Sequence, residues 1–178
     1  MLTKIILAGY GGQGIMFMGK LLASAVLCEG KFVSVIPSYG AEMRGGTANC
    51  TVIISDEPIN SPYAEFADCV VAMSEQSYQK FIKHVRPKGL MVVNSTFLGR
   101  KLQIKGFKVV YKPFTDLANE ENNIKIANMF ALGCFVKLTQ AVRPASIINS
   151  LNLFFQDENI LNINRFAFNK GLKLAKRR

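Results

Sequence analysis

The feature that most restricts this chain is its opening order: a buried strand, a turn of glycines, a helix, and a second strand. Thr3-Lys4-Ile5-Ile6-Leu7-Ala8 is apolar and β-branched without alternation, the pattern of a strand covered on both faces of a sheet. Gly9-Tyr10-Gly11-Gly12-Gln13-Gly14 breaks it. From Ile15 to Cys28 the apolar residues Ile15, Met18, Leu22, Ala25 and Val26 recur at helical spacing, and Gly30 supplies the stop. Phe32-Val33-Ser34-Val35-Ile36 then reads as a strand ended by Pro37. This order predicts a βαβ unit, a parallel sheet and a right-handed crossover.

The rest of the chain continues the pattern. Ala48 to Ile54, Cys69 to Met73, Leu90 to Asn94 and the shorter Val109-Val110-Tyr111 read as strands. A helix is expected from about Glu75 to Val85, with Pro87-Lys88-Gly89 as punctuation. Ile124 to Leu138 carries few charges and predicts a largely buried helix. Residues 144–178 hold one or two more helices, with Phe154-Phe155, Phe166 and Phe168 as packing anchors. The expected architecture is α/β: a single domain over 1–178, a mostly parallel β-sheet flanked by helices, and a Rossmann-like first βαβ unit.

Composition excludes several classes. With 178 residues, 49% hydrophobic and 19% charged, the bulk of the chain is not disordered. No apolar run approaches the roughly 18 residues of a membrane span. The apolar start stops at Gly9 without a small-residue cleavage site, so a cytoplasmic protein is expected. Lys and Arg exceed Asp and Glu by 22 − 12 = 10. Residues 165–178 carry six cations and no acid, a basic tail suited to nucleic acid, an anionic ligand, an acidic partner subunit, or simply to water. The four cysteines, Cys28, Cys50, Cys69 and Cys134, form no CxxC pair, and His84 is the only histidine. An iron–sulfur cluster or structural zinc held by this chain alone is therefore not expected, and the thiols read as small core residues.

Two loops carry the candidate chemistry. Gly9-Tyr10-Gly11-Gly12-Gln13-Gly14 fits G-x-G-x-x-G between strand and helix. Its glycines admit positive φ, expected at Gly11, and let backbone N–H groups reach an anion at the helix amino end. A dinucleotide site also needs an acid at the end of the second strand. Ile36-Pro37-Ser38 stands there instead, and the nearest acid is Glu42. A turn that merely packs helix on sheet remains open. Pro37-Ser38-Tyr39-Gly40-Ala41-Glu42-Met43-Arg44-Gly45-Gly46-Thr47 should leave the carboxyl edge of the sheet, where open α/β sheets bind ligands. It offers a guanidinium suited to phosphate or carboxylate, one carboxylate and the hydroxyls of Ser38 and Tyr39. An internal Glu42–Arg44 pair is the plainer reading. His84 stands among Lys83, Val85 and Arg86 without a partner, Asp56-Glu57-Pro58 reads as a turn, and Asn119 to Asn123 as a loop and helix start. Cys50 and Cys134 lack a nearby base. No catalytic residue is assigned.

Taken together, the first glycine turn, Ser38 to Thr47, the strand end Ile53-Ile54-Ser55-Asp56 and Asn128-Met129-Phe130-Ala131-Leu132-Gly133 resemble the gamma subunit of 2-oxoacid:ferredoxin oxidoreductases, over about residues 1–150. The resemblance implies a multisubunit enzyme that decarboxylates a 2-oxoacid on thiamine diphosphate with Mg, passes the acyl group to coenzyme A as co-substrate, and sends electrons through iron–sulfur clusters to ferredoxin. It places thiamine and clusters on alpha, beta and delta subunits, with no cofactor bound by this chain alone, no nucleic acid and no membrane. The wording of the Glu42–Thr47 loop leans to 2-oxoglutarate; pyruvate, branched-chain 2-oxoacids and indolepyruvate stay open. The residues assigned to ligand or subunit contact are Gly9, Gly11, Gly12, Gln13, Gly14, Ser38, Tyr39, Gly40, Glu42, Arg44, Gly45, Gly46, Thr47 and Asn128, with Arg44 as anchor and no metal ligand. The alternative is a stand-alone nucleotide-binding, Rossmann-like protein. Whether the isolated chain is single or a homodimer is also open.

Overall fold

Both faces of one sheet are covered, which accounts for the continuous burial along its central strands. The computed structural model describes residues 2–39, 47–99 and 104–175. Six strands, β1 (Leu2–Tyr10), β2 (Phe32–Tyr39), β3 (Thr47–Ser55), β4 (Ala67–Ala72), β5 (Val85–Asn94) and β6 (Lys108–Lys112), lie in the order β2-β3-β1-β4-β5-β6. In β1, Ile5 and Leu7 enter one core while Ile6 and Ala8 enter the other, as the two-residue period of a strand requires. The first core is covered by α1 (Ile15–Cys28), α3 (Phe114–Glu120), α4 (Ala127–Thr139), α5 (Pro144–Phe154) and α6 (Glu158–Leu174). The second is smaller and closed by α2 (Glu75–Phe81), through Tyr78 and Phe81, with Leu98, Ile104 and Phe107.

The sheet is mostly parallel: β1, β4, β5 and β6 pair in parallel. The first βαβ unit departs from the simple form. Its two strands run in the same direction but are not neighbours, because β3 lies between them, antiparallel to both. Only seven residues separate β2 from β3 in the sequence, too few for the crossover that a parallel neighbour needs, so the two pair antiparallel. β2 is consequently an edge strand. Pro37 does not end it: the strand runs on to Tyr39, with Pro37 opposite Cys50, which an edge strand tolerates.

Other boundaries shift for local reasons. The helix expected from Glu75 to Val85 ends at Phe81, followed by a 3-10 turn over Ile82–His84, and Val85 already begins β5. Pro87-Lys88-Gly89 is an excursion inside that strand: Ala67 pairs with Val85, then Cys69 with Leu90. Lys88 has φ 64°, and its N–H donates to the Gly106 carbonyl at 2.6 Å. Asn119 and Glu120 close α3, and Asn123 opens the next helical turn, the 3-10 segment Ile124–Ile126, by accepting the Lys125 N–H at 3.2 Å.

α4 is buried continuously from Ala127 to Val136, matching its near absence of charge. It packs on β4 and β5 on one side and on α6 on the other. The crossing depends on Gly133 and Gly171: a Cβ on Gly133 would strike the Phe168 carbonyl oxygen, and one on Gly171 the Phe130 carbonyl oxygen. Phe168 is fully buried here, whereas Phe166 stays 46% exposed and so is not a core anchor. Phe154 and Phe155 close on the Phe17 ring, at 5.6 and 5.3 Å between centroids.

Candidate functional site at the carboxyl edge of the sheet

The carboxyl ends of β1, β4 and β5 are tied together by side chains that follow them. Gln13 folds back so that its Oε1 accepts from the Tyr10 N–H at 2.8 Å, while its Nε2 donates to the Met73 carbonyl at 3.2 Å. That fold-back requires Gly9, since a Cβ there would lie 2.5 Å from Gln13 Oε1. The Met73 carbonyl also accepts from Asn94 Nδ2 at 3.2 Å, and the same amide donates to Thr115 Oγ1 at 2.8 Å. Asn94 Oδ1 takes the Thr96 and Thr115 N–H groups, both at 3.4 Å. One chain of hydrogen bonds therefore runs from the glycine turn to the start of α3. Ser74 caps α2 at the same edge in a reciprocal box with Ser77.

These groups surround a cavity of about 130 Å³ lined by Gly12, Gln13, Met73, Phe97, Thr115 and Lys125 among others. The positive φ expected at Gly11 falls instead on Gly12 (94°) and Gly14 (70°). Among the described residues nothing lies within 4 Å of where a Cβ on Gly12 would stand. Gly14 begins α1, and a side chain there would collide with the Asn128 amide. Asn128 Nδ2 lies 3.5 Å from the Gly14 carbonyl; its buried Oδ1 has no partner among the described residues. Asn128 and the turn from Gly9 to Gly14 are thus brought together across 114 residues.

The second loop leaves from the same edge. Tyr10 is opposite Thr47, Tyr39 opposite Ala48, and Ser38 opposite Asn49, so the ends of β2 and β3 flank the glycine turn. Gly40, Glu42, Arg44, Gly45 and Gly46 lie outside the described residues. The sequence reading missed Asn94 and Thr115. The signal for Asn94 was present: a lone amide closing an apolar strand needs partners when buried, and it is 1% exposed. Nothing local marks Thr115.

Nucleophilic or metal chemistry finds no support in the thiols. Burial pushes Cys50 up to about 11, and burial, only partly opposed by Lys112, holds Cys134 at about 11. Burial likewise raises Cys69. Such thiols stay protonated at neutral pH, and the thiolate is the nucleophile and ligand. Among the described residues no three His, Cys, Asp or Glu side chains gather to hold a metal ion. A thiamine-bound Mg or an iron–sulfur cluster does not fit that donor set. His84 packs edge-on against Phe81, 5.6 Å between centroids. No helix among the described residues is long and apolar enough to cross a membrane.

The pyruvate ferredoxin/flavodoxin oxidoreductase family matches residues 4–174. The chain belongs to that family. Within it, the chain is 35% identical to the 2-oxoglutarate synthase subunit KorC of Methanocaldococcus jannaschii, over 99% of this chain and 95% of the relative. The gamma subunit of a keto/oxoacid ferredoxin oxidoreductase from Geobacter sulfurreducens superposes with a TM-score of 0.83 at 28% identity, covering 97% of this chain and 98% of that one. The 2-oxoglutarate:ferredoxin oxidoreductase of Magnetococcus marinus, solved with 2-oxoglutarate, coenzyme A and succinyl-CoA bound, gives 0.88 at 26% identity. It covers 98% of this chain but 31% of that longer one. Members of the family thus carry this unit either as a separate subunit or inside a larger chain.

Proposed function

We propose that this chain is the gamma subunit of a cytoplasmic 2-oxoglutarate:ferredoxin oxidoreductase, which makes the acyl-CoA and passes electrons to ferredoxin. The observation that carries the substrate is the near full-length likeness to a 2-oxoglutarate synthase subunit, supported by the fold shared with the Magnetococcus enzyme. Thiamine diphosphate, Mg and the clusters belong on the alpha, beta and delta partners. The role of this chain is to present a rigid carboxyl edge to them. Its contact residues are Gly9, Gly11, Gly12 and Gly14 in the turn, Ser38, Tyr39, Gly40, Glu42, Arg44, Gly45, Gly46 and Thr47 in the second loop, and Asn128 beside the turn. Gln13 acts chiefly by bracing the edge, because both ends of its amide are engaged within the chain. Arg44 anchors a carboxylate or phosphate, such as the anionic groups of coenzyme A.

The test is to co-express the tagged chain with the neighbouring thiamine- and cluster-bearing subunits and assay coenzyme A-dependent dye reduction with a panel of 2-oxoacids. Preferred oxidation of 2-oxoglutarate by a co-purifying assembly is the expected result. Preference for pyruvate or a branched-chain acid overturns the substrate. A colourless single chain that tightly binds a nucleotide overturns the subunit assignment.

A further inference from the structure

One stretch of this chain gathers cations without acids. Between Gln76 and Thr115 the sequence holds nine Lys and Arg and no Asp or Glu. Soluble surfaces ordinarily intersperse both signs, because unrelieved like charge opposes the compact state. The fold concentrates the effect. Lys83 lies in the 3-10 turn before β5, Arg86 and Lys88 in the excursion of that strand, and Lys105 and Lys108 where β6 begins. The Lys88 N–H bond to Gly106 draws the two segments together. All five side chains are exposed and stand at the amino-terminal end of β5 and β6, opposite the candidate site.

Within this patch Arg86 has an acidic partner: its Nη1 lies 2.5 Å from Asp68, which also accepts the Lys4 N–H at 2.6 Å. Beside that pair opens a cleft of about 220 Å³, walled by the exposed Leu2 and Phe66 as well as Lys4, Asp68 and Arg86. Lysines on an open edge strand can serve only to prevent edge pairing. That accounts for Lys108 but not for Lys83, Arg86, Lys88 or Lys105, which lie off β6. A second copy of the chain would present the same positive surface and be repelled.

We infer that this end of the sheet docks an acidic face of a partner subunit in the same assembly, with an apolar side chain of the partner entering the Leu2–Phe66 cleft. The inference rests on the function proposed above but uses the opposite edge of the sheet, leaving the carboxyl edge to the reaction. Electrostatic complementarity of this kind sets register and association rate and is weakened by salt.

The test uses the full chain co-expressed with its thiamine- and cluster-bearing subunits, comparing wild type with the quadruple variant Lys83→Glu, Lys88→Glu, Lys105→Glu, Lys108→Glu. All four residues are exposed, so the melting temperature of the isolated variant should match wild type. Native mass spectrometry is expected to show the variant assembly lacking one partner, or holding it on the order of tenfold more weakly, while four Lys→Arg changes preserve it. The wild-type contact should loosen as salt is raised. A charge-reversed assembly with wild-type composition and salt dependence overturns this inference alone. So does intact variant assembly accompanied by loss of binding to a short duplex DNA, which would assign the patch to nucleic acid. A wild-type chain that joins none of these subunits overturns the proposed function and this inference together.

Discussion

Gln13 shows how one side chain can decide the shape of the candidate site. Its amide joins the end of β1 to the end of β4, accepting the Tyr10 N–H and donating to the Met73 carbonyl. Gln13→Ala should cost about 1–2 kcal/mol, the usual loss for two neutral hydrogen bonds, seen as a lower denaturant midpoint with an unchanged m-value. Glu29 works at a distance. Its carboxylate accepts the Arg143 N–H at 2.6 Å and the Ser146 hydroxyl at 2.7 Å, thereby capping α5 from the end of α1. Burial pushes this carboxyl up, but the two hydrogen bonds and the charges of Lys31 and Arg143 outweigh it and hold it below its ordinary value. A carboxyl depressed in the folded state adds stability above its unfolded pKa, and that stability is lost as pH falls through the folded value. Glu29→Gln should therefore lower stability by about 1 kcal/mol at neutral pH, as loss of a good cap does, and flatten the acid limb of a melting-temperature profile below pH 5. Equal slopes for both proteins would refute this. At Arg44 the expected outcome of Arg44→Ala is a chain with unchanged circular dichroism and melting, but reduced coenzyme A-dependent turnover once assembled. Unfolding of the isolated variant would make the arginine structural.

Among the elements, the α4–α6 crossing is the most sensitive. Gly133 and Gly171 allow two backbones to touch, and each would meet a carbonyl oxygen through a single added methyl group. Backbone cannot rotate aside as a side chain can, so Gly133→Ala or Gly171→Ala should destabilise by about 1–3 kcal/mol or more. Gly99→Ala, with nothing among the described residues within 4 Å of the added carbon, serves as the control and should be close to neutral. A neutral Gly133→Ala in urea unfolding would mean that the helices slide apart at no cost. The crossing also explains the Asn128 to Gly133 segment physically. Asn128 meets the glycine turn at the start of α4, and Gly133 admits α6 at its middle. The α1 helix shows a second close approach, for a Cβ on Gly19 would lie 2.5 Å from Cys50 Sγ.

At the scale of the whole molecule, burial separates the four thiols into two classes. Cys28 is exposed; Cys50, Cys69 and Cys134 are buried and held protonated. A thiol reagent at pH 8 should modify one cysteine rapidly in the native chain, and the remaining three only on unfolding. Two fast thiols would place one of the buried three in a region that opens readily. The two sheet edges also differ in kind: the carboxyl edge is braced by neutral amides and hydroxyls around a small cavity, and the amino-terminal end of β5 and β6 is strongly positive.

Local chemistry made much of this legible in the sequence. The strand from Thr3 to Ala8, which runs on through Gly9 to Tyr10, the glycine turn after it and the helix from Ile15 to Cys28 depend on residues within a few positions of one another, and periodicity reports such interactions directly. The likeness of the two loops to a gamma subunit was readable for the same reason. What the sequence left undecided is non-local. The placing of β3 between β1 and β2 depends on which apolar faces meet after the chain turns back, so Pro37 looked like an end when it was an edge position. Glu29 and Ser146 are 117 residues apart, and Gln13 and Met73 are 60. Such pairs leave no period to read, because folding brings them together through the packing of other elements. The cations near β5 and β6 combine both cases: composition determines that they lack acids, but only the tertiary structure gathers them at one end of the sheet.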